Sequence, residues 1–319
     1  MNYFMRFDFW GGNIPIIKMQ LEKALQKNIG LELNISSYKQ LNDVIHFLKS
    51  VHDVQNINVH IPRGGEFSFY FSDDNPKRNR IYVESTTEFF IRSPGRGHVI
   101  HDETDPHAET LSESRLNSYI DAFKQLDIQL QKLNKTLYIE FSTALDSKHY
   151  LNLMEQISGT GLKLIGSCID RGHVYYFFRR KKGYTRDKSI ESLKQFIIDV
   201  KKTGLPMYYH VHDCDPHNPH PWYGVADHKK TGDGEIGIDG FREIISLLKD
   251  ENLNLEVLPV SDYQKTNLTD EEIQNLINYA VEHNIDTEKQ IKDGKIIKQT
   301  LEDIVESKNI LENLVNESD

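Results

Sequence analysis

Histidines and carboxylates recur in this sequence where short apolar runs stop. They are His60, His101, Glu140, Asp170, His173, His210, His228 and Glu256. Neutral imidazole and carboxylate oxygen suit Zn²⁺, Mn²⁺, Fe²⁺ or Co²⁺ better than Ca²⁺. One such histidine alone is ordinary hydrogen-bonded structure. Glu140 and Glu256 say more, because they sit inside Tyr138-Ile139-Glu140-Phe141 and Leu255-Glu256-Val257. A carboxylate buried among apolar neighbours must be paired or bound to a metal. The joint occurrence of these residues points to a site for one to three divalent transition-metal ions, with zinc foremost. A second group is cationic: Arg179-Arg180-Lys181-Lys182-Gly183-Tyr184-Thr185-Arg186. It reads either as a solvated loop or as a clamp for a phosphate-bearing substrate, with Arg179, Arg180, Arg186 and nearby His212 as the phosphate-holding candidates.

Such residues are far apart along the chain, so the elements that carry them must bring them to one rim. Strands are expected at 3–10, 31–35, 56–62, 97–102, 137–142, 162–170, 206–212 and 254–259. Helical apolar spacing predicts helices at 14–27, 39–51, 112–133, 148–157, 189–203 and 240–249, with Ser36-Ser37 as a cap for the second. Between strands 3 and 4 the alternation breaks. The segments Phe67-Ser68-Phe69-Tyr70-Phe71, Arg80-Ile81-Tyr82-Val83-Glu84 and Glu88-Phe89-Phe90-Ile91-Arg92 read as strands of a small β insertion at about 66–93. Strands alternating with helices in this way predict a closed (β/α)8 TIM barrel over 1–262. A polar helical C-terminal extension follows over 263–319, starting at a Thr269 cap. In a barrel, side chains at the C-terminal ends of the strands share one rim, which is where all of the candidates fall.

The bulk properties narrow the classes. With 319 residues, 38% hydrophobic and 27% charged, the chain suits one barrel plus an appendage. No run approaches the roughly 20 apolar residues of a membrane span. The start, Met1-Asn2-Tyr3-Phe4-Met5-Arg6, reads as a first strand and not as a signal peptide, so a cytoplasmic protein is expected. The two cysteines, Cys168 and Cys214, suggest small buried residues and no disulfide framework. A formal charge of −10 disfavours generic nucleic-acid binding but leaves room for a local basic patch.

The stretch 207–256 resembles the endonuclease IV / xylose isomerase-like superfamily of TIM barrels. It shares a strand ending in H-x-x-D (His210 to Asp213), a D-H loop (Asp227-His228), a G-[DE]-G-x-I turn (Gly232 to Ile236) and a last strand with a Glu (Glu256). Cys168-Ile169-Asp170-Arg171-Gly172-His173 is similar to the C-I-D-x-x-H strand of endonuclease IV. That resemblance implies that Glu140 bridges two metals, with His60 and His101 completing one and Asp170, His210 and Glu256 the other. His173 and His228 would belong to a third. The chain departs from the pattern where a further Asp ligand falls on Ala226, with Asp227 adjacent. It departs again where the family's DNA-probing loop is not recognisable in Ser36-Ser37-Tyr38-Lys39-Gln40, and where helix 3 gives way to the expected insertion.

Two enzymatic readings follow. In the first, the chain is a metal-dependent hydrolase of a phosphate ester, in which clustered ions activate water. In the second, it is a sugar or sugar-phosphate isomerase or epimerase, with one ion on Glu140, Asp170, His210 and Glu256. There the two glutamates act as acid and base, and His173 touches the substrate. The substrate is a small or phosphate-bearing molecule in both. A third reading, a non-catalytic barrel that binds a partner through its tail and β insertion, leaves the ligand-rich rim unexplained.

Overall fold

The computed structural model describes residues 1–8, 13–50, 56–61, 76–102, 108–218, 227–258 and 263–318. Eight parallel strands form a closed ring in sequence order: β1 (Asn2–Asp8), β2 (Gly30–Asn34), β3 (Ile57–His60), β4 (Gly97–His101), β5 (Thr136–Glu140), β6 (Ile165–Asp170), β7 (Met207–Val211) and β8 (Asn252–Leu255). The ring shuts where β1 pairs with β8, from Asn2 opposite Asn252 to Met5 opposite Leu255. This is the predicted (β/α)8 barrel, with strand limits within a few residues of those expected.

The two-residue period of a strand sorts its side chains between two cores. Tyr3, Met5 and Phe7 of β1 face outward and pack in the layer between sheet and helices. Phe4, Val99, Cys168 and Tyr208 face inward and plug the barrel floor, with Tyr138 against them. Two residues further along the same strands stand Arg6, His101, Asp170, His210 and Glu140. The apolar floor and the polar rim are therefore successive layers of one alternation.

Around the strands run α1 (Ile14–Gln26), α2 (Tyr38–Lys49), α3 (Pro76–Arg92), α4 (Glu113–Leu133), α5 (Ser147–Gly159), α6 (Arg171–Tyr176), α7 (Arg186–Lys201) and α8 (Gly237–Ile244). Ser37 caps α2 as expected, its Oγ accepting from Gln40 N at 3.1 Å. A π-helical turn, Phe177–Lys181, extends α6. Arg171 is fully buried at the start of α6, its guanidinium 4.7 Å above the Phe241 ring of α8.

Among the described residues, the predicted β insertion at 66–93 is replaced by a helix. Arg80 to Glu84 and Glu88 to Arg92 are turns of α3, while the Phe67 to Phe71 segment lies outside the described residues. The physical reason is a helical stripe: Tyr82, Val83, Thr86, Phe89 and Phe90 are all buried. Their spacing of i, i+1, i+4, i+7 and i+8 puts them on one helix face, and Phe89 and Phe90 alone are worth ~2–3 kcal/mol each in apolar burial. That drive outweighs the β preference of aromatic and β-branched residues.

Beyond β8, α9 (Asp270–Glu282) opens with a capping box between Thr269 and Glu272, and α10 (Thr287–Ser318) follows. The α10 helix packs against both α1 and α8, so it occupies the outer layer beside the β8–β1 seam. No described helix is long and apolar enough to cross a membrane.

Candidate metal centre

Glu140 stands at the centre of the rim. It ends β5, is 1% exposed, and turns its two oxygens to different neighbours. Oε2 lies 3.1 Å from His60 Nε2 and 3.4 Å from His101 Nε2, and those two nitrogens are 3.1 Å from each other. Oε1 faces His173 Nδ1 at 3.3 Å and His210 Nδ1 at 3.7 Å. His60 ends β3 and His101 ends β4; register sets His60 beside Val99 and His101 beside Glu140, so the three residues meet at the same end of adjacent strands.

His210 is the best oriented of the candidates. Its Nε2 sits 3.2 and 3.3 Å from the two oxygens of buried Glu32, and Asn254 Nδ2 donates to Glu32 Oε1 at 2.7 Å. An ionised carboxylate only accepts, so Glu32 keeps a proton on Nε2, and Nδ1 is the nitrogen that holds the second proton or, once that is lost, offers a lone pair. Nδ1 is fully buried and makes no aligned hydrogen bond. It points among Glu256 Oε2 at 2.9 Å, Glu140 Oε1 at 3.7 Å and Asp170 Oδ2 at 3.8 Å. With its Nδ1 proton displaced, this nitrogen and the acidic oxygens around it could hold a cation, and the Glu32–His210 pair is the outer support such ligands need. Glu256, just past β8, is also held by Arg6 Nη1 at 3.1 Å, and Arg6 Nε is paired to Asp8 at 2.8 Å.

The third group forms where β6 runs into α6. Asp170 caps α6 by accepting from His173 N at 2.8 Å, which places the His173 ring over the rim. His173 Nε2 is 3.1 Å from Asp227 Oδ2, and Asp227 Oδ1 is 2.7 Å from His228 Nδ1. His228 Nε2 lies 3.5 Å from Glu256 Oε1. Ligand atoms thus gather in three overlapping groups among the described residues: Asp170, His173, His212 and His228; His60, His101 and Glu140; and Glu140, Asp170 and His210. The eight residues named from sequence all meet on this rim.

Charge follows the geometry. Burial raises the Glu140 carboxyl, but His210 and His101 facing it outweigh that and hold it well below the usual range. Glu256 behaves likewise: burial raises it, and His210 and His228 pull it down further. Burial lowers His228, yet Glu256 and Asp227 push its pKa up to about 9. Burial also lowers His210 and His173, and the surrounding carboxylates reverse the effect, raising both well above 6.5. Carboxylates this strongly ionised, crowded by rings that would hold protons, form a site that exchanges protons for a cation when metal binds.

Loop geometry around β7 comes from Asp213. Its Oδ1 accepts from Cys214 N (2.7 Å) and Ile236 N (3.1 Å), and its Oδ2 from Gly232 N and Gly237 N (both 3.1 Å). This one carboxylate folds the Gly232 to Gly237 turn. Gly234 is needed there because a Cβ would overlap Asp213 Oδ1.

The cationic segment is otherwise engaged. Arg179 pairs with Glu235 at 3.0 Å and donates to Tyr184 O, and Arg186 donates to the carbonyls of Glu235 and Ile236. Arg180 is exposed. His212 is fully buried, with both ring nitrogens against groups of the chain. Sequence reasoning did not single out Glu32, Arg6 or Asn254. A signal existed for Glu32, a carboxylate between Leu31 and Leu33, which is the same oddity that marked Glu140 and Glu256.

No family model and no curated protein sequence matches the chain. Solved structures do. A D-tagatose 3-epimerase-like protein matches with a TM-score of 0.56 at 15% identity, covering 99% of this chain and 97% of that one. A Thermus thermophilus protein soaked with ZnCl₂ matches with a TM-score of 0.53 at 16% identity, over 81% and 92%. A xylose isomerase-like TIM barrel/4-hydroxyphenylpyruvate dioxygenase fusion protein matches with 0.53 at 12% identity, over 89% of this chain and 45% of that one. These likenesses show a shared TIM-barrel fold, in line with the fold expected from sequence.

Proposed function

We propose that the protein is a divalent-metal-dependent isomerase or epimerase of a sugar or sugar phosphate. The observation that carries this reading is the buried Nδ1 of His210, aimed among Glu140, Asp170 and Glu256 with Glu32 behind it. Those residues would hold one ion, zinc foremost with manganese, iron or cobalt as alternatives. When bound, the ion would polarise neighbouring sugar oxygens and ease loss of a proton from the adjoining carbon. Glu140 and Glu256 come from β5 and from the end of β8, with β6 and β7 between them, so they reach a bound sugar from separate strands. One would take the proton from carbon and the other return it. His173, over the rim on α6, would contact a substrate hydroxyl. The structural likeness to an epimerase-like protein supports this reading over the hydrolase that the endonuclease IV motifs suggested.

One observation favours the second reading, hydrolysis of a phosphate ester. His60 and His101 converge on the far oxygen of Glu140, where a one-ion isomerase has no use for them. The test is turnover of ketoses, ketose phosphates, phosphomonoesters and phosphodiesters by wild type, Glu140→Gln, Glu256→Gln and His60→Ala, with ions counted per chain. Solvent deuterium entering a sugar carbon, lost in both glutamine variants and kept in His60→Ala, is the expected result. Phosphoester cleavage that disappears together with one ion in His60→Ala would overturn it.

A further inference from the structure

We propose that His212 is a positioning residue with its proton on Nε2, serving the metal centre without ligating. It aligns Asp170 and ties the Asp227–His228 loop to the end of β7. The inference rests on the reading above only in taking Asp170 as a metal ligand.

His212 lies two residues beyond His210, so strand alternation sends both rings to the same side. On one edge, the backbone N–H of His228 donates to His212 Nδ1 at 2.8 Å. A backbone amide has no lone pair to offer, so Nδ1 must present one and the ring proton belongs to Nε2. On the other edge, Nε2 stands 2.9 Å from each oxygen of Asp170, which accepts. Asp213 O, 3.2 Å from Nδ1, is then a second acceptor and shares no hydrogen bond with it. Both nitrogens are spent. The ring could ligate through Nε2 only by moving its proton to Nδ1, head-on against the His228 amide.

The surroundings fit a fixed ring. His212 and His228 stack at 4.3 Å with 8° between their planes. Gly172 also leaves room for the ring, since a Cβ there would overlap the His212 imidazole. One side chain therefore touches the carboxylate of Asp170, the backbone and ring of His228, and the first turn of α6. Although His212 falls in one group with Asp170, His173 and His228, it would orient that group without joining it.

The test uses full-length protein with ¹⁵N-labelled histidine. Long-range ¹H–¹⁵N correlation at His212 should show a bare Nδ1 and a protonated Nε2, with and without zinc. Cadmium-113 loaded in place of zinc should couple to a His210 nitrogen and not to His212. His212→Asn keeps an acceptor near the Nδ1 position and loses the Nε2 donor. Chelator competition should show metal held about 10- to 100-fold more weakly, with the ion count per chain unchanged. His212→Gln, which reaches toward Asp170 with an amide N–H, should recover part of the affinity. Cadmium coupling to His212, loss of an ion in His212→Asn, or a protonated Nδ1 would overturn the proposal. Failure of sugar turnover alone would leave these readouts intact and count against the proposed reaction instead. If neither variant folds, the wild-type spectra decide.

Discussion

Replacing Asp213 with asparagine tests whether one carboxylate holds the loop behind the candidate metal centre. The aspartate accepts four backbone N–H groups, two on each oxygen. An asparagine keeps one oxygen and turns an N–H₂ toward the other pair. With the retained oxygen facing Cys214 and Ile236, the amides of Gly232 and Gly237 lose their acceptor and meet a donor. Each stranded amide costs ~1–3 kcal/mol when buried. Gly232 and Gly237 are only half-buried and can recruit water, which pulls the sum to the low end. Burial raises the Asp213 pKa despite its amide partners, so removing the charge returns a little. The expected loss is ~2 kcal/mol in urea unfolding, with faster hydrogen exchange at Gly232 and Gly237. A change under ~0.5 kcal/mol with unaltered exchange at both glycines would refute the idea that this carboxylate organises the turn.

Two further substitutions probe other levels. Glu32→Gln removes the charge behind His210 and sets an amide N–H₂ against either Asn254 Nδ2 or the His210 ring; zinc affinity by chelator competition should fall about 10- to 100-fold, and undiminished affinity would deny Glu32 its orienting role. Asp303 of α10 has its pKa pushed up to about 6, by burial first, with Asp233 and Glu306 adding to it. A raised folded pKa gives stability that is present below the unfolded value and lost as pH climbs through the folded one. The charged group then costs up to ~3 kcal/mol above about pH 6. Asp303→Asn should therefore stabilise the protein at about pH 7.5 and leave it unchanged near pH 3.5, as read by denaturation across pH; an equal effect at both ends would exclude that origin.

Much of the rim was legible in the sequence because a barrel turns strand ends into a list of candidates. Carboxylates inside apolar strands, such as Glu140 and Glu256, stand out against their neighbours. What was not legible depends on contacts across the fold. The α3 helix was hidden because Tyr82, Val83, Phe89 and Phe90 are strand-favouring residues arranged at helical spacing, and only the burial of their common face shows which preference wins. The sequence shows that Arg179 and Arg186 are basic, but not that Glu235 and two loop carbonyls occupy them. Asp227 looked out of step with the expected ligand position at Ala226, yet the left-handed backbone of His228 beside it (φ 63°) accompanies an Asp227 carboxylate that meets both His173 and His228.

The seam between β1 and β8 has a kinetic consequence. It joins residues 250 apart, as in Asn2 to Asn252 and in Arg6 to Glu256 on the rim above. Closing so long a loop is costly and slow, and it precedes any reward from the contacts it makes. Glu256 is one of the groups that the seam locks in place, so an ion held jointly by His210 and Glu256 would find its full ligand set only after the ring has shut. Metal would then act as a latch: it would slow the opening of a barrel already formed and do little to hasten the search that forms it.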